Sequence, residues 1–171
     1  MRVTVFPCLN PSGYELGTRT DSHGNDLNRQ FRAAHPPAEI TAYLRSLANQ
    51  RFNLTIALHE DYDGTGFYLY ELCHQGAEFG DDIIKAIHRQ EILPVDRRRR
   101  IENRPNLGGV IHRDPIRHRL VGRKRWPEAI YLFDRHASHT LTTETPSDYP
   151  MAARVRAQLT AIRVAAATLK P

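Results

Sequence analysis

Two arginines and an asparagine close together in a polar loop are the residues of this sequence best suited to hold a negatively charged ligand. Asp26-Leu27-Asn28-Arg29-Gln30-Phe31 sets an amide beside a guanidinium, and Arg19 lies nine residues before Asn28. Guanidinium groups offer forked, permanently charged donors that match a carboxylate, and an amide adds one more. Two further residues are of a type that catalyses. His59 closes an apolar run, Leu54 to Leu58, and Glu144 stands in Thr142-Thr143-Glu144-Thr145-Pro146. A lone histidine is more often a surface or satisfied core residue than a ligand. A glutamate at a strand end, among so many arginines, is as readily an ion-pair partner. Cys8 and Cys73 have neither the spacing of a disulfide framework nor that of a cysteine zinc site, and read as buried free thiols.

These residues need elements to position them. A chain of 171 residues suits one domain with a substantial core, and 40% hydrophobic with 25% charged residues is the balance of a soluble globular protein. Alternation over Arg2 to Phe6 predicts a strand, and Asn10-Pro11-Ser12-Gly13 a turn. Ile40, Tyr43, Leu44, Leu47 and Ala48 fall at helical spacing between Pro36 and Gln50. Strands are expected at 54–58, 66–72, 129–133 and 139–143. A second helix is expected over 79–92, with Asp81 and Asp82 in the first turn, where the helix dipole favours them. The last helix, 151–169, would present Val155, Leu159, Ile162, Ala166 and Leu169 to the core. Strands alternating with helices imply an α/β fold: a mostly parallel mixed sheet flanked by helices, with ligands beyond the strand C-termini.

The formal charge is +5, and most of the excess lies in Arg97-Arg98-Arg99-Arg100, Arg113, Arg117, Arg119, Arg123, Lys124 and Arg125. Interrupted by prolines and glycines, this stretch reads as an irregular, solvated, arginine-rich insertion at about 93–127 within a single domain. It carries no recognisable nucleic-acid-binding motif, and Trp126 is the only aromatic near it, so nucleic acid is not the expected partner. No apolar run has the length to span a bilayer, and the N-terminus lacks signal-peptide architecture. The expectation is a soluble, cytoplasmic protein with no membrane partner.

Taken together, Asn10-Pro11-Ser12-Gly13, Arg19 and Asp26-Leu27-Asn28-Arg29-Gln30-Phe31 resemble the zinc carboxypeptidase family, which includes the succinylglutamate desuccinylase and aspartoacylase branch. There an Asn-Pro-Asp-Gly turn precedes an arginine and an Asp-Leu-Asn-Arg-x-aromatic block; Ser12 replaces the aspartate. The resemblance implies zinc, with His59 as the third metal ligand and Glu144 as the base that takes a proton from water and returns it to the leaving nitrogen. It implies Arg19 for the oxyanion, Asn28 and Arg29 for a free carboxylate, and Tyr131 closing over the substrate. Tyr131 with Arg135 is similar to the deacylase branch, where Arg135 would favour an acidic substrate side chain. The substrate would be a peptide or an N-acyl amino acid with a free carboxylate. The family's other two ligands form a His-x-x-Glu motif before the Asn-Pro-x-Gly turn, yet none of the nine residues preceding that turn here is His or Glu. His88-Arg89-Gln90-Glu91 has the spacing but follows His59 and suits ordinary helix-edge packing. The expectation is therefore a zinc-carboxypeptidase-like domain lacking its first strands, N-terminally truncated and inactive alone, whose true start lies upstream.

Overall fold

The structure, a computed structural model, describes residues 1–73, 79–113 and 125–169. Arg117, Arg119, Arg123 and Lys124 of the basic stretch lie outside these residues. In chain order the elements are α1 (Pro11–Leu16), a 3₁₀ turn (Leu27–Arg29), α2 (Ala38–Leu47), β1 (Thr55–Asp61), β2 (Tyr68–Cys73) and α3 (Gly80–Arg89). Next come β3 (Arg100–Ile101), β4 (Arg104–Pro105), β5 (Val110–His112), α4 (Glu128–Arg135), β6 (His139–Pro146) and α5 (Met151–Thr168).

Four strands form the main sheet in the order β1-β6-β2-β5. β1 and β6 are parallel, β2 and β5 are parallel, and β2 runs antiparallel to β6, so the expected mostly parallel mixed sheet is present. β6 lies in the interior with every residue but Thr142 buried, as befits a strand covered on both faces. The main core packs Phe67 and Leu69 of the β2 region, Leu141 of β6 and Val110 of β5 against Ile83 and Ile87 of α3 and Ala157, Ala161 and Ala165 of α5. A second core joins Leu27, Phe31, Ile40, Tyr43 and Leu47 to Trp126, Ile130 and Leu132, fastening the Asn28-Arg29 loop to α2 and α4.

Several sequence expectations are corrected. Residues 2–6 form no strand, and Val3 and Val5 are exposed: alternation makes a strand only where a neighbour accepts its backbone groups. Asn10 to Gly13 is the capped start of α1, where the Asn10 side chain accepts from the Gly13 amide at 3.0 Å. A Cβ on Gly13 would lie 2.1 Å from the Asn10 amide nitrogen, so the cap requires glycine there. Residues 129–133 are helical, within α4. The stretch at 93–127 is not wholly irregular, since β3 and β4 form a hairpin and β5 joins the main sheet. α5 buries Ala157, Ala161 and Ala165 and leaves Val155 and Leu159 of the expected face exposed, while Ile162 and Ala166 are half-buried and Leu169, just past its end, packs on the core as expected. Cys8 is exposed and Cys73 partly so; neither is a buried thiol.

Candidate active site

β1 and β6 run parallel with His59 opposite Glu144, and β2 places Tyr68 opposite Glu144 on the other side. His59, Glu144 and Tyr68 thus form one row across three adjacent strands. Residues paired across a sheet share a face, so the row presents an imidazole, a carboxyl and a phenol side by side. His59 Nδ1 lies 3.9 Å from Glu144 Oε1. The end of β1 is held by two side chains donating to the His59 carbonyl, Gln158 at 3.0 Å and Thr145 at 3.3 Å.

The loop between α1 and α2 supplies the positive charge. Arg19 binds Asp26 through Nε and Nη2, both at 3.0 Å, and stays largely exposed. Arg29 donates from Nη1 to the Asn28 carbonyl at 2.7 Å. The Asn28 side-chain oxygen accepts from the Glu128 backbone amide at 2.8 Å, tying this loop to the first turn of α4. That carboxamide therefore both caps α4 and carries an NH₂ available to a ligand.

Burial sets the electrostatics. Glu144 is pushed up to about 8, first by desolvation and then by the negative charges of Asp61 and Glu102, with Arg19 opposing. His59 is held below the usual imidazole range, first by desolvation and then by Arg19 and Arg29. A neutral imidazole beside a proton-bearing carboxyl is the resulting state near neutral pH. Arg19 therefore acts electrostatically on both groups and Arg29 on His59.

Two tyrosines and Glu102, absent from the sequence reading as site groups, are gathered here with Asp61. The Tyr68 hydroxyl donates to Asp61 at 2.9 Å, and Arg98 reaches the same carboxylate at 3.9 Å while binding the buried Asp96. The Tyr70 hydroxyl donates to Glu102 at 3.0 Å, from a β3–β4 turn in which Glu102 and Asn103 both have positive φ. Burial raises both tyrosines above their ordinary range, so each remains a hydroxyl donor. No local signal marks them, because β2 is buried along most of its length and shows no alternation.

Two further expected site residues have partners outside the row at Glu144. Tyr131 packs against Phe31 and His136, with ring centroids 5.9 and 5.6 Å away, in the second core. Arg135 is exposed and bonds its neighbour Asp134 at 2.9 Å. Glu60 pairs with Arg154 of α5. His88 lines a cavity of about 360 Å³ with Ile84, Lys85, Val95, Arg97 and Gly108, none of which belongs to the row at Glu144.

Among the described residues no group of three His, Cys, Asp or Glu side chains is arranged to hold an ion, and His59 is the one imidazole in the row. One imidazole does not satisfy a site that normally takes three protein ligands, so these residues do not fit a resident catalytic metal by themselves.

No family model matches the sequence, and no curated protein matches it. Solved structures do match in fold. A "putative metallopeptidase" from Shewanella amazonensis superposes with a TM-score of 0.74 at 23% identity, covering 96% of this chain and 63% of its own. A second of the same name, from Shewanella baltica, gives 0.73 at 21% identity over 94% of this chain and 61% of its own. A variant of cell shape determinant protein Csd4 from Helicobacter pylori gives 0.56 at 15% identity, over 94% of this chain and 41% of its own. The chain has the α/β fold seen in these structures, and it spans about three-fifths of the length of the two Shewanella proteins.

Proposed function

We propose that this chain is part of a zinc-dependent hydrolase of carboxypeptidase type, cleaving an amide bond next to a free carboxylate. The observation that carries this reading is the pair His59 and Glu144, 3.9 Å apart on neighbouring parallel strands, with the charge of Arg19 acting on both and that of Arg29 on His59. The metallopeptidase names of the Shewanella neighbours support it. Glu144 takes and returns the proton, and its raised affinity suits that exchange near neutral pH. Arg19 offsets charge developing on the reacting oxygen, while Asn28 and Arg29 receive the substrate carboxylate. Zinc, if bound, would supply an activated water and a Lewis acid; among the described residues His59 is the one imidazole in the row at Glu144, so the chain alone is expected to be inactive. The reading carries a cytoplasmic location, to which two cysteines outside any disulfide are suited.

Deacylation of an N-acyl amino acid is the alternative, and it rests on Arg135; the pairing of Arg135 with Asp134 gives it no support. A nucleic-acid role is weaker still, because Trp126 is buried beneath Arg32 and offers no stacking face.

Carboxylate recognition does not require the metal and tests the proposal directly. An acetylated dipeptide with a free C-terminus and its C-terminal amide would be titrated into the ¹⁵N-labelled chain and followed by NMR. The acid should shift resonances around Arg19 to Arg29 and the amide should not. Arg29→Ala should weaken binding by about 1.5–3 kcal/mol, the range for a hydrogen bond to a charged group. Equal binding of the two peptides would refute carboxylate recognition.

A further inference from the structure

We propose that the cavity beside α3 is a binding site for a small phosphate monoester, held by Lys85, His88 and Arg97. This site stands apart from the row at Glu144 and does not depend on the hydrolase reading of that row.

The cavity encloses about 360 Å³. Among the described residues it is lined by Ile84, Lys85 and His88 of α3, by Val95 and Arg97 of the segment that follows, and by Gly108 of the turn before β5. Three of these six carry a basic group and none carries a carboxylate. Two of the three have ordinary reasons to be where they are. His88 stands in the last turn of α3, where positive charge complements the unpaired carbonyls, and Lys85 meets Asp82 at 3.6 Å on the exposed helix surface, a pairing worth little. Arg97 has neither reason. It arrives from another segment and adds a permanent charge to a place that already holds two basic groups, an arrangement that is unfavourable until an anion fills it. Its neighbours in the arginine run are engaged: Arg98 binds the buried Asp96 at 2.6 Å, and Arg100 donates to the Asn103 carbonyl. Among the described residues neither Arg97 nor the His88 ring has a hydrogen-bond or ion-pair partner.

The walls are set before any ligand arrives. The Gly109 amide donates to Asn106 Oδ1 at 2.8 Å, and the Asn106 side chain donates to the carbonyls of Asp96 and Arg98, both at 2.9 Å. Asn106 thereby ties the turn that holds Gly108 to the segment that carries Arg97. Gly109 has a φ of 108°, and a Cβ there would lie 2.7 Å from both Ile84 Cδ1 and Val95 Cγ1, so only glycine lets the turn close on the apolar floor. A Cβ on Gly108 would meet nothing within 4 Å, which marks the open side. Val95 is in turn bridged to Phe67, a fully buried residue of the main core. Three segments are thus fixed to one frame, and little ordering is left for a ligand to impose.

The donors define the ligand. A phosphate monoester carries close to two negative charges at neutral pH and three acceptor oxygens, and so matches three basic side chains better than a carboxylate, with one charge and two oxygens. Ile84 and Val95 offer the ester group an apolar surface. The volume lies near the lower end of the range for small-molecule sites, about 300–1,000 Å³, which suits a small ester and not a macromolecule.

Phenyl phosphate is the probe, titrated into the ¹⁵N-labelled chain at constant ionic strength and followed by NMR, with inorganic phosphate, benzoate and phenol run alongside. Saturable shifts are expected at 84–88, 95–97 and 108–109. Inorganic phosphate should bind the same residues several-fold more weakly, and benzoate and phenol should not bind measurably. Arg97→Ala should weaken binding about tenfold or more, the loss expected on removing one charge-assisted contact, and Arg97→Glu should abolish it. Arg97 is exposed, so the remainder of the spectrum should be unchanged in both variants. No shifts, shifts that spread along the arginines of 97–113 without saturating, or binding indifferent to Arg97→Glu would overturn the site. Inorganic phosphate binding as tightly as its phenyl ester would overturn the ester, and benzoate binding as tightly would overturn the doubly charged head group.

Discussion

Glu144 carries its charge reluctantly, and that has a measurable cost. Its folded-state pKa of about 8 exceeds the ordinary carboxyl value, so between roughly pH 4.5 and 8 the folded chain binds more protons than the unfolded one. Stability contributed by this group is therefore present at low pH and lost as pH rises through that window. In the metal-free chain Glu144→Gln should remove the slope and stabilise by up to a few kcal/mol at pH 9, with little change at pH 5. Urea unfolding at the two pH values checks this; an equal effect at both would show that desolvation of the charge is not the cause. His59 acts in the opposite sense: its lowered pKa means that stability is lost as pH falls below the ordinary imidazole value, where the unfolded chain takes up the proton. A second buried carboxylate serves structure. Glu71 is wholly buried, accepts from the Phe79 amide at 2.7 Å and the Gly80 amide at 3.2 Å, and meets His139 Nε2 at 2.7 Å. Glu71→Ala would strand these partners and should cost about 3–5 kcal/mol in urea unfolding, the usual result of breaking a buried pair.

At the scale of elements, periodicity was a sound guide where one face of an element is buried and the other is not. α2 and α3 were legible for that reason, and β1, β2 and β6 by their β-branched and aromatic runs. α4 was not. Ile130-Tyr131-Leu132-Phe133 is continuously apolar and has no period to read, and the group that caps the helix, the Asn28 side chain on the Glu128 amide, comes from 100 residues away. The face of α5 was misread at Val155 and Leu159 because larger apolar residues outweigh alanine in any count of hydrophobicity, although alanine permits the close approach to the sheet. The consequence is testable. Ala161→Leu should overfill the core at a cost of about 1–3 kcal/mol, whereas Val155→Ala in the isolated chain should change stability by less than about 0.5 kcal/mol, both read by thermal or urea unfolding. Comparable costs would mean that α5 packs by its outer face.

For the molecule as a whole, the site is gathered from the α1–α2 loop, β1, β2 and β6, with Glu102 from the β3–β4 hairpin. Arg19, Asn28, Arg29, His59 and Glu144 were named from the order of their motifs, and the register then sets His59 beside Glu144. Tyr68, Tyr70 and Glu102 were not named, because β2 enters the sheet antiparallel to β6 and nothing local fixes that pairing. Donor count then bounds what the molecule does alone. Dialysed against zinc and analysed for metal, the chain should retain well under one equivalent, since one imidazole supplies a small part of the coordination required. Retention of a full equivalent would return His88 and Glu91 to consideration.

The site residues do not share one mechanical footing. β6 is hydrogen-bonded on both sides, to β1 and to β2, and is buried nearly throughout. Its amides should open only with the whole fold, making the backbone beneath Glu144 among the slowest in the molecule to exchange with solvent. Arg19 and Asn25 sit in a loop fastened chiefly by contacts within itself, such as Asn25 to Asp21 and Arg19 to Asp26. That loop can open without disturbing the sheet. Glu144, the proposed general base, thus stands on the most firmly held strand, while Arg19, whose charge acts on it, rides on a loop with few ties to the sheet, so that charge is adjustable on a timescale the sheet does not share.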